Sequence, residues 1–239
     1  MKVLKKILGG NTLFYRGCML SYVAKDLAEN YRRILNFMKI DFIEMPVELC
    51  CGMPLLNAGF EKDFEEQIEK FKKKLEEFGI TRIVCACPAC YYSLRNNLSK
   101  DFEIKSIVEL LNNLIEEGKL KVANIGKGKK VTYHDPCHLG RHSNIYEEPR
   151  KVIKVLGFEL IEMKFTREEA MCCGGGGGVK SNFEELSNAL AKERIKEARE
   201  VGVKTLITIC PLCYMNLSEN SEDIEVLELS ELLIRGLGK

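Results

Sequence analysis

Apolar positions along this chain follow two periods in turn. Phe64, Ile68, Phe71, Leu75 and Phe78 step at the spacing of one helix face, and Gly79 stands where a left-handed glycine would end that helix. The β-branched run 80–84 follows directly, as a short strand buried on both faces would. The same succession returns later. Asn182 with Glu185 three residues on resembles a capping box, and Phe183, Leu186, Leu190 and Ala198 supply an apolar face. Gly202 then stops the helix and the strand-like run 203–209 begins. Alternating β and α segments of these lengths predict open α/β units.

The recurrence is a duplication. Residues 79–91 lie over 202–214, residues 106–111 over 228–233, and residues 13–18 over 131–137 with a slight offset. Two copies, 11–120 and 130–239, cover almost the whole chain, joined by the Gly/Lys-rich stretch 118–130. Within each copy the expected order is strand, helix, strand, cysteine pair, helix, strand, CPxC, helix. The expected fold class is α/β: a tandem duplication of two open parallel-sheet units related by pseudo-twofold symmetry. Chemistry in such sheets gathers at strand ends and helix starts.

Ten of the 11 cysteines obey the same repeat. The first set is Cys18, Cys50, Cys51, Cys87 and Cys90; the second is Cys137, Cys172, Cys173, Cys210 and Cys213. Intervening lengths are 31, 35 and 2 residues in the first and 34, 36 and 2 in the second. Each set holds one thiol more than the four that a structural zinc or an ordinary iron–sulfur cube takes. A proline inside CPxC suits a helix start, where its missing N–H costs nothing, and the helix N-terminus favours thiolate. One CPxC alone also fits a thioredoxin-like dithiol; two, each preceded by a CC pair and a lone cysteine at matched distance, point to metal. Vicinal cysteines strain to bridge each other but can hold neighbouring irons. Structural disulfides and paired zinc sites are the competing readings.

Composition narrows the class further. The 239 residues are 46% hydrophobic and 30% charged, enough for a globular core. A formal charge of +1, with no basic stripe interleaved with aromatics, argues against nucleic acid as a partner. The basic run 126–130 reads as a solvated linker. No run reaches the ~18 apolar residues of a membrane span, and residues 1–10 lack the apolar region of a secretory leader. The expected location is the cytoplasm, where a cysteine-rich pattern reads as a metal or redox site.

The pattern Cys, CC-Gly, C-Pro-x-Cys, present in both halves with every ligand position filled, resembles the cysteine-rich CCG domain. That domain is the signature of the heterodisulfide reductase B subunit and of the matching half of the D subunit. Glycolate oxidase iron–sulfur subunits, the C subunit of anaerobic glycerol-3-phosphate dehydrogenase and lactate-utilisation protein A are similar. The stretches 134–141 (HDPCHLGR) and 172–174 (CCG) resemble the D-subunit type. The resemblance implies two noncubane [4Fe–4S] clusters, each held by one five-cysteine set. It also implies two-electron cleavage of a small disulfide in a cleft between the halves. No CxxCxxCxxxCP ferredoxin segment occurs, so a ferredoxin-like iron–sulfur subunit or a flavoprotein is the expected electron donor. The alternative is a non-catalytic electron-transfer subunit of a flavin-dependent lactate, glycolate or glycerol-3-phosphate dehydrogenase complex. A redox-sensing or cluster-storage protein without turnover is a third possibility.

Several neighbouring residues carry secondary expectations. Gly174, Gly175 and Gly176 open a five-glycine run whose backbone N–H groups can close on cluster sulfur or substrate. The run ends in Val-Lys-Ser, which misses the P-loop pattern, and no buried strand precedes it. The first copy has only Gly52 there, so the second centre is expected to be the more accessible. His134, His138 and His142 cluster around Cys137, and His138, adjacent to a ligand, is the candidate catalytic proton donor. Cys85, whose repeat equivalent is Thr208, reads as a core thiol. Tyr91, Tyr92 and Tyr214 read as packing residues.

Overall fold

The computed structural model describes residues 11–238; the stretch 1–10 and Lys239 lie outside the described residues. The chain divides between Leu111 and Asn112 into two compact units, so that the glycine- and lysine-rich joint falls within the second.

In the first unit, β1 (Asn11–Tyr15), β2 (Ile80–Cys85) and β3 (Glu103–Ser106) form a parallel sheet in the order β1-β2-β3. The helices are α1 (Lys25–Phe37), α2 (Met53–Asn57), α3 (Glu61–Glu77), α4 (Pro88–Leu98) and α5 (Ile107–Glu116), the last crossing the division between units. The strand expected before the first cysteine pair shrinks to one parallel bridge, Leu13 to Ile43. Its ladder is Phe14 N–H to Ile43 O at 2.9 Å and Ile43 N–H to Thr12 O at 2.7 Å. Helix α3 buries Phe64, Ile68, Phe71 and Leu75, the expected face, and Gly79 follows its last turn at φ +60°. Phe71 and Leu75 are wholly enclosed, each worth about 1.5–3 kcal/mol of transfer free energy.

The second unit contains β4 (Lys130–Tyr133), α6 (Glu147–Val155), β5 (Glu159–Leu160), α7 (Val179–Asn182), α8 (Glu184–Glu200) and β6 (Thr205–Thr208). It closes with α9 (Pro211–Glu219), β7 (Glu225–Glu228) and α10 (Leu229–Gly236). Its sheet is also parallel, in the order β5-β4-β6-β7. If Ile43 is counted beside β1, both sheets run second, first, third, fourth. The direction of winding therefore reverses between β1 and β2 and between β4 and β6, the switch points where open α/β sheets form sites. Cys18, Cys87, Cys137 and Cys210 each follow one of those four strands.

Two expectations for the second unit need correction. Asn182 does not cap α8: it ends α7, and its amide donates to Gly178 O at 2.8 Å. The capping box of this unit is Glu228 with Glu231, at the start of α10. The apolar face assigned to α8 is also rotated. Phe183 and Leu186 are exposed, and the buried face carries Ser187, Ala191, Arg194, Ile195, Glu197 and Ala198. Three polar side chains break the periodicity by sharing that face with Ala191, Ile195 and Ala198, which pack into the core. Strands β3 and β7 were absent from the expected order. Each is four residues long and opens on an exposed glutamate, too short for periodicity to register.

Candidate metal centres

Each unit gathers its five cysteines beyond the carboxyl ends of its strands. Cys87 and Cys210 take extended φ/ψ and serve as N-cap residues, with Pro88 and Pro211 opening α4 and α9. This places Cys90 and Cys213 in the first helical turn, facing back toward the strand ends. In the first unit the Cys50 thiol bonds to Cys51, Cys51 to Cys90 and Cys90 to Cys87. Cys18, half-buried, lies close enough to Cys51 and Cys87 to feel their charge. In the second unit the chain of contacts runs Cys137, Cys172, Cys173, Cys213, Cys210, with Cys173 Sγ and Cys213 Sγ 3.2 Å apart.

The electrostatics of both sets call for a cation. Hydrogen bonds from Cys50 and then Cys90 hold the Cys51 thiol well below its ordinary range, and those from Cys137 and Cys173 do the same for Cys172. Their neighbours move the other way. Cys50 and Cys137 keep their protons and are raised by donating hydrogen bonds to Cys51 and Cys172, Cys18 is raised by burial, and Cys173 to about 12 by its bond to Cys172. A set of five thiols therefore shares out its protons, and all five become thiolates together only when metal replaces those protons.

The backbone is shaped to the sulfurs. Gly52 N–H donates to Cys50 Sγ at 3.4 Å, Gly174 N–H to Cys172 Sγ at 3.3 Å and Gly175 N–H to Cys173 Sγ at 3.4 Å. Gly174 sits at φ +80°, and a Cβ there would lie 2.6 Å from Ser187 O. At Gly176 the space is open. The second cysteine of each pair is pinned through its carbonyl by equivalent residues of the two units. Ser93 Oγ–H donates to Cys51 O at 2.6 Å, and Asn216 Nδ2–H to Cys173 O at 2.7 Å. Gly17 was not singled out by sequence, yet a Cβ on it would stand 2.7 Å from Cys90 Sγ, at φ +78°. The first copy could have revealed it only by Gly17 standing where the second has Pro136.

The surroundings differ between units. Behind Cys137, Asp135 binds Arg150 through two hydrogen bonds of 2.6 and 2.8 Å, and Arg150 continues to Glu162. His134 is enclosed; its Nδ1 accepts from Arg194 Nε at 3.1 Å, while burial and then Arg194 depress its basicity to about 3. A ring nitrogen of His134 and the Cys173 and Cys213 sulfurs all lie within 4.8 Å of one another. His138, half-buried, places Nδ1 3.5 Å from Cys137 Sγ, with the His142 ring 5.1 Å away. Cys172 is exposed whereas Cys50 is half-buried. Cys85 is fully enclosed at the end of β2, opposite Tyr15 in the ladder. Tyr91 is buried, and residues 167–169 before the glycine run form a 3-10 turn rather than a strand.

A family profile for the CCG cysteine-rich domain matches twice, over residues 12–95 and 131–218. The chain belongs to the CCG cysteine-rich domain family. It is 33% identical, over 95% of its length, to the D subunit of the dihydromethanophenazine:CoB–CoM heterodisulfide reductase of Methanosarcina acetivorans, of which it covers 59%. It is 31% identical over 94% of its length to the B subunit of the fumarate reductase (CoM/CoB) of Methanothermobacter marburgensis, covering 46% of that protein. It is 30% identical over 94% of its length to the EtfAB:quinone oxidoreductase of Syntrophomonas wolfei, covering 34%. The chain thus spans about a third to three fifths of these relatives. Among solved structures, Picrophilus torridus aspartate racemase aligns with 96% of the chain and 95% of its own at TM-score 0.46 and 16% identity. A likeness of that size carries no argument about function. The relatives are named as reductases or oxidoreductases, or as subunits of them. No described helix is long and apolar enough to cross a membrane.

Proposed function

We propose that the chain reduces a small disulfide at two noncubane [4Fe–4S] clusters, one held by Cys18, Cys50, Cys51, Cys87 and Cys90. The other is held by Cys137, Cys172, Cys173, Cys210 and Cys213. The observation that carries this reading is the convergence of five thiols in each unit, where a cubane or zinc would occupy four. The sulfur-directed N–H groups of Gly52, Gly174 and Gly175 and the missing Cβ of Gly17 fit such a group.

When bound, a cluster supplies electrons one at a time beside a sulfur-seeking iron. The protein residues do the rest. Ser93 and Asn216 fix the second cysteine of each pair, and the exposed Cys172 marks the side that a substrate can reach. Cleaving a disulfide takes two electrons and two protons and yields two thiols. His138, half-buried beside Cys137, is placed to give a proton to a departing thiolate. The electrons come from a ferredoxin-like iron–sulfur subunit or a flavoprotein.

The EtfAB:quinone oxidoreductase relative favours a second reading, an electron-transfer subunit for a flavin-dependent dehydrogenase complex. Anaerobic reconstitution with iron counting and EPR, with and without added thiol, separates the two. About eight irons per chain and a signal perturbed by thiol are expected for the disulfide reductase. Eight irons with a thiol-insensitive signal would favour the relay, and two zincs or no metal would refute both.

A further inference from the structure

The enclosed histidine of the second unit is held with one nitrogen toward the cysteine sulfurs. Arg194 has only donors, so the bond from its Nε to His134 Nδ1 requires an unprotonated Nδ1. The ring proton of the neutral imidazole then sits on Nε2. That atom is buried and has no hydrogen-bond partner among the described residues, and a ring nitrogen lies within 4.8 Å of both Cys173 Sγ and Cys213 Sγ. Nδ1 is occupied, so Nε2–H is the group left for sulfur. A protonated Nε2 cannot ligate iron, which makes it a donor. Arg194 is itself anchored, by Nη1–H to Phe165 O at 2.9 Å and by an ion pair with Glu197.

The first unit has no such donor at this place. Tyr15 is the equivalent of His134, as the ladders show: Tyr15 stands opposite Cys85, and His134, whose N–H bonds to Ile207 O, stands opposite Thr208. The Tyr15 hydroxyl is spent on Leu49 O at 2.6 Å.

We propose that His134, locked by Arg194 in its Nε2–H form, hydrogen-bonds the Cys173–Cys213 sulfurs once they hold the cluster and raises the reduction potential of the second cluster above that of the first. This rests on the iron–sulfur reading. An N–H···S bond strengthens as charge on sulfur grows, so it favours the reduced state. His134 acts through the ligands and is a positioning residue.

The test is an EPR-monitored redox titration of the reconstituted full chain. For His134→Leu, iron is retained and one of the two midpoint potentials falls. Losing one charge-assisted bond is worth about tenfold in the reduced fraction at fixed potential, or 59 mV for a one-electron couple. His134→Gln, which keeps a donor N–H, recovers part of the shift, and Tyr15→Phe leaves both midpoints in place. Full iron with unmoved potentials in His134→Leu overturns the proposal. If that variant does not assemble, pulsed EPR of ¹⁵N-histidine protein in a His138→Gln background decides. A weak histidine-nitrogen coupling to one cluster is expected; no coupling, or one as strong as a direct iron–nitrogen bond, overturns it. Absence of iron from the wild-type protein would remove the iron–sulfur reading itself and this inference with it.

Discussion

Two units bring five thiols together on the same strand order, yet they brace them with opposite chemistry. In the first, Cys18 follows Tyr15-Arg16-Gly17, and Arg16, its side chain 18% exposed, pairs with Glu44 at 23% and with Glu48 at 3%. In the second, Cys137 follows His134-Asp135-Pro136, and Asp135 pairs with Arg150 where both side chains are 2% exposed or less. A pair whose arginine reaches water is screened in part, whereas a pair enclosed on both sides tolerates no loss of either partner. The duplicated feature is the sulfur geometry, and the supports are free to diverge. The glycine-wrapped second unit is the one whose set includes an exposed thiol, Cys172, and a histidine, His138, against Cys137.

The largest effects come from breaking one sulfur set while sparing the other. Cys51→Ser and Cys173→Ser should each remove about half of the roughly eight irons per chain and abolish a different EPR signal. Loss of all iron in either variant would show that the units do not load independently.

Next is the contrast between the supports. Arg150→Met leaves Asp135 buried and unpaired and should cost about 3–5 kcal/mol in denaturant unfolding. Arg16→Met, which leaves Glu48 its bond from Gly17 N–H, should cost less, about 1–2 kcal/mol. Equal losses would erase the distinction drawn between the two units.

The glycine run offers a finer division. A Cβ at Gly175 would approach Leu212 O to 2.9 Å, whereas nothing lies within 4 Å of one at Gly176. Gly175→Val should lower iron content and thermal stability, and Gly176→Ala should leave both unchanged. A Gly175→Val protein with full iron and activity would sink the idea that this loop closes on sulfur.

The smallest effect lies between sheet strands. Arg82 pairs with Glu103 across β2 and β3, and Thr205 with Glu225 stands at the equivalent place in β6 and β7. A hydrogen bond from Arg82 holds the Glu103 carboxyl below its usual range. A lowered carboxylate contributes stability above its unfolded value, and that contribution is lost as pH falls through its folded value. Glu103→Gln should therefore cost about 0.5 kcal/mol at pH 7 and progressively less as pH falls, as read by denaturant unfolding at several pH values.

Much of this was legible in sequence because it rests on local rules. The helical step from Phe64 to Leu75, the glycine after it and the β-branched run beyond it needed only periodicity and backbone sterics. The cysteine sets were legible because duplication prints the same spacing twice. The reading failed on α8, where Phe183 and Leu186 look like a core face but point outward. There the buried face is chosen by what lies beneath it, and Ser187, Arg194 and Glu197 share it with Ala191, Ile195 and Ala198. Gly17, Ser93, Asn216 and Arg150 stayed invisible for the same reason: each is defined by a partner far away along the chain.

By itself, then, the sequence determined the α/β class, the duplication and the ten thiols, since repeat spacing and local periodicity do not depend on long-range packing. Only the tertiary structure decided how those thiols meet and share protons, which glycines close on sulfur and which stand free, and that a ring nitrogen of His134 comes within 4.8 Å of two sulfurs. Those are matters of side-chain direction and of neighbours brought together across a strand order, and no spacing along a chain encodes them.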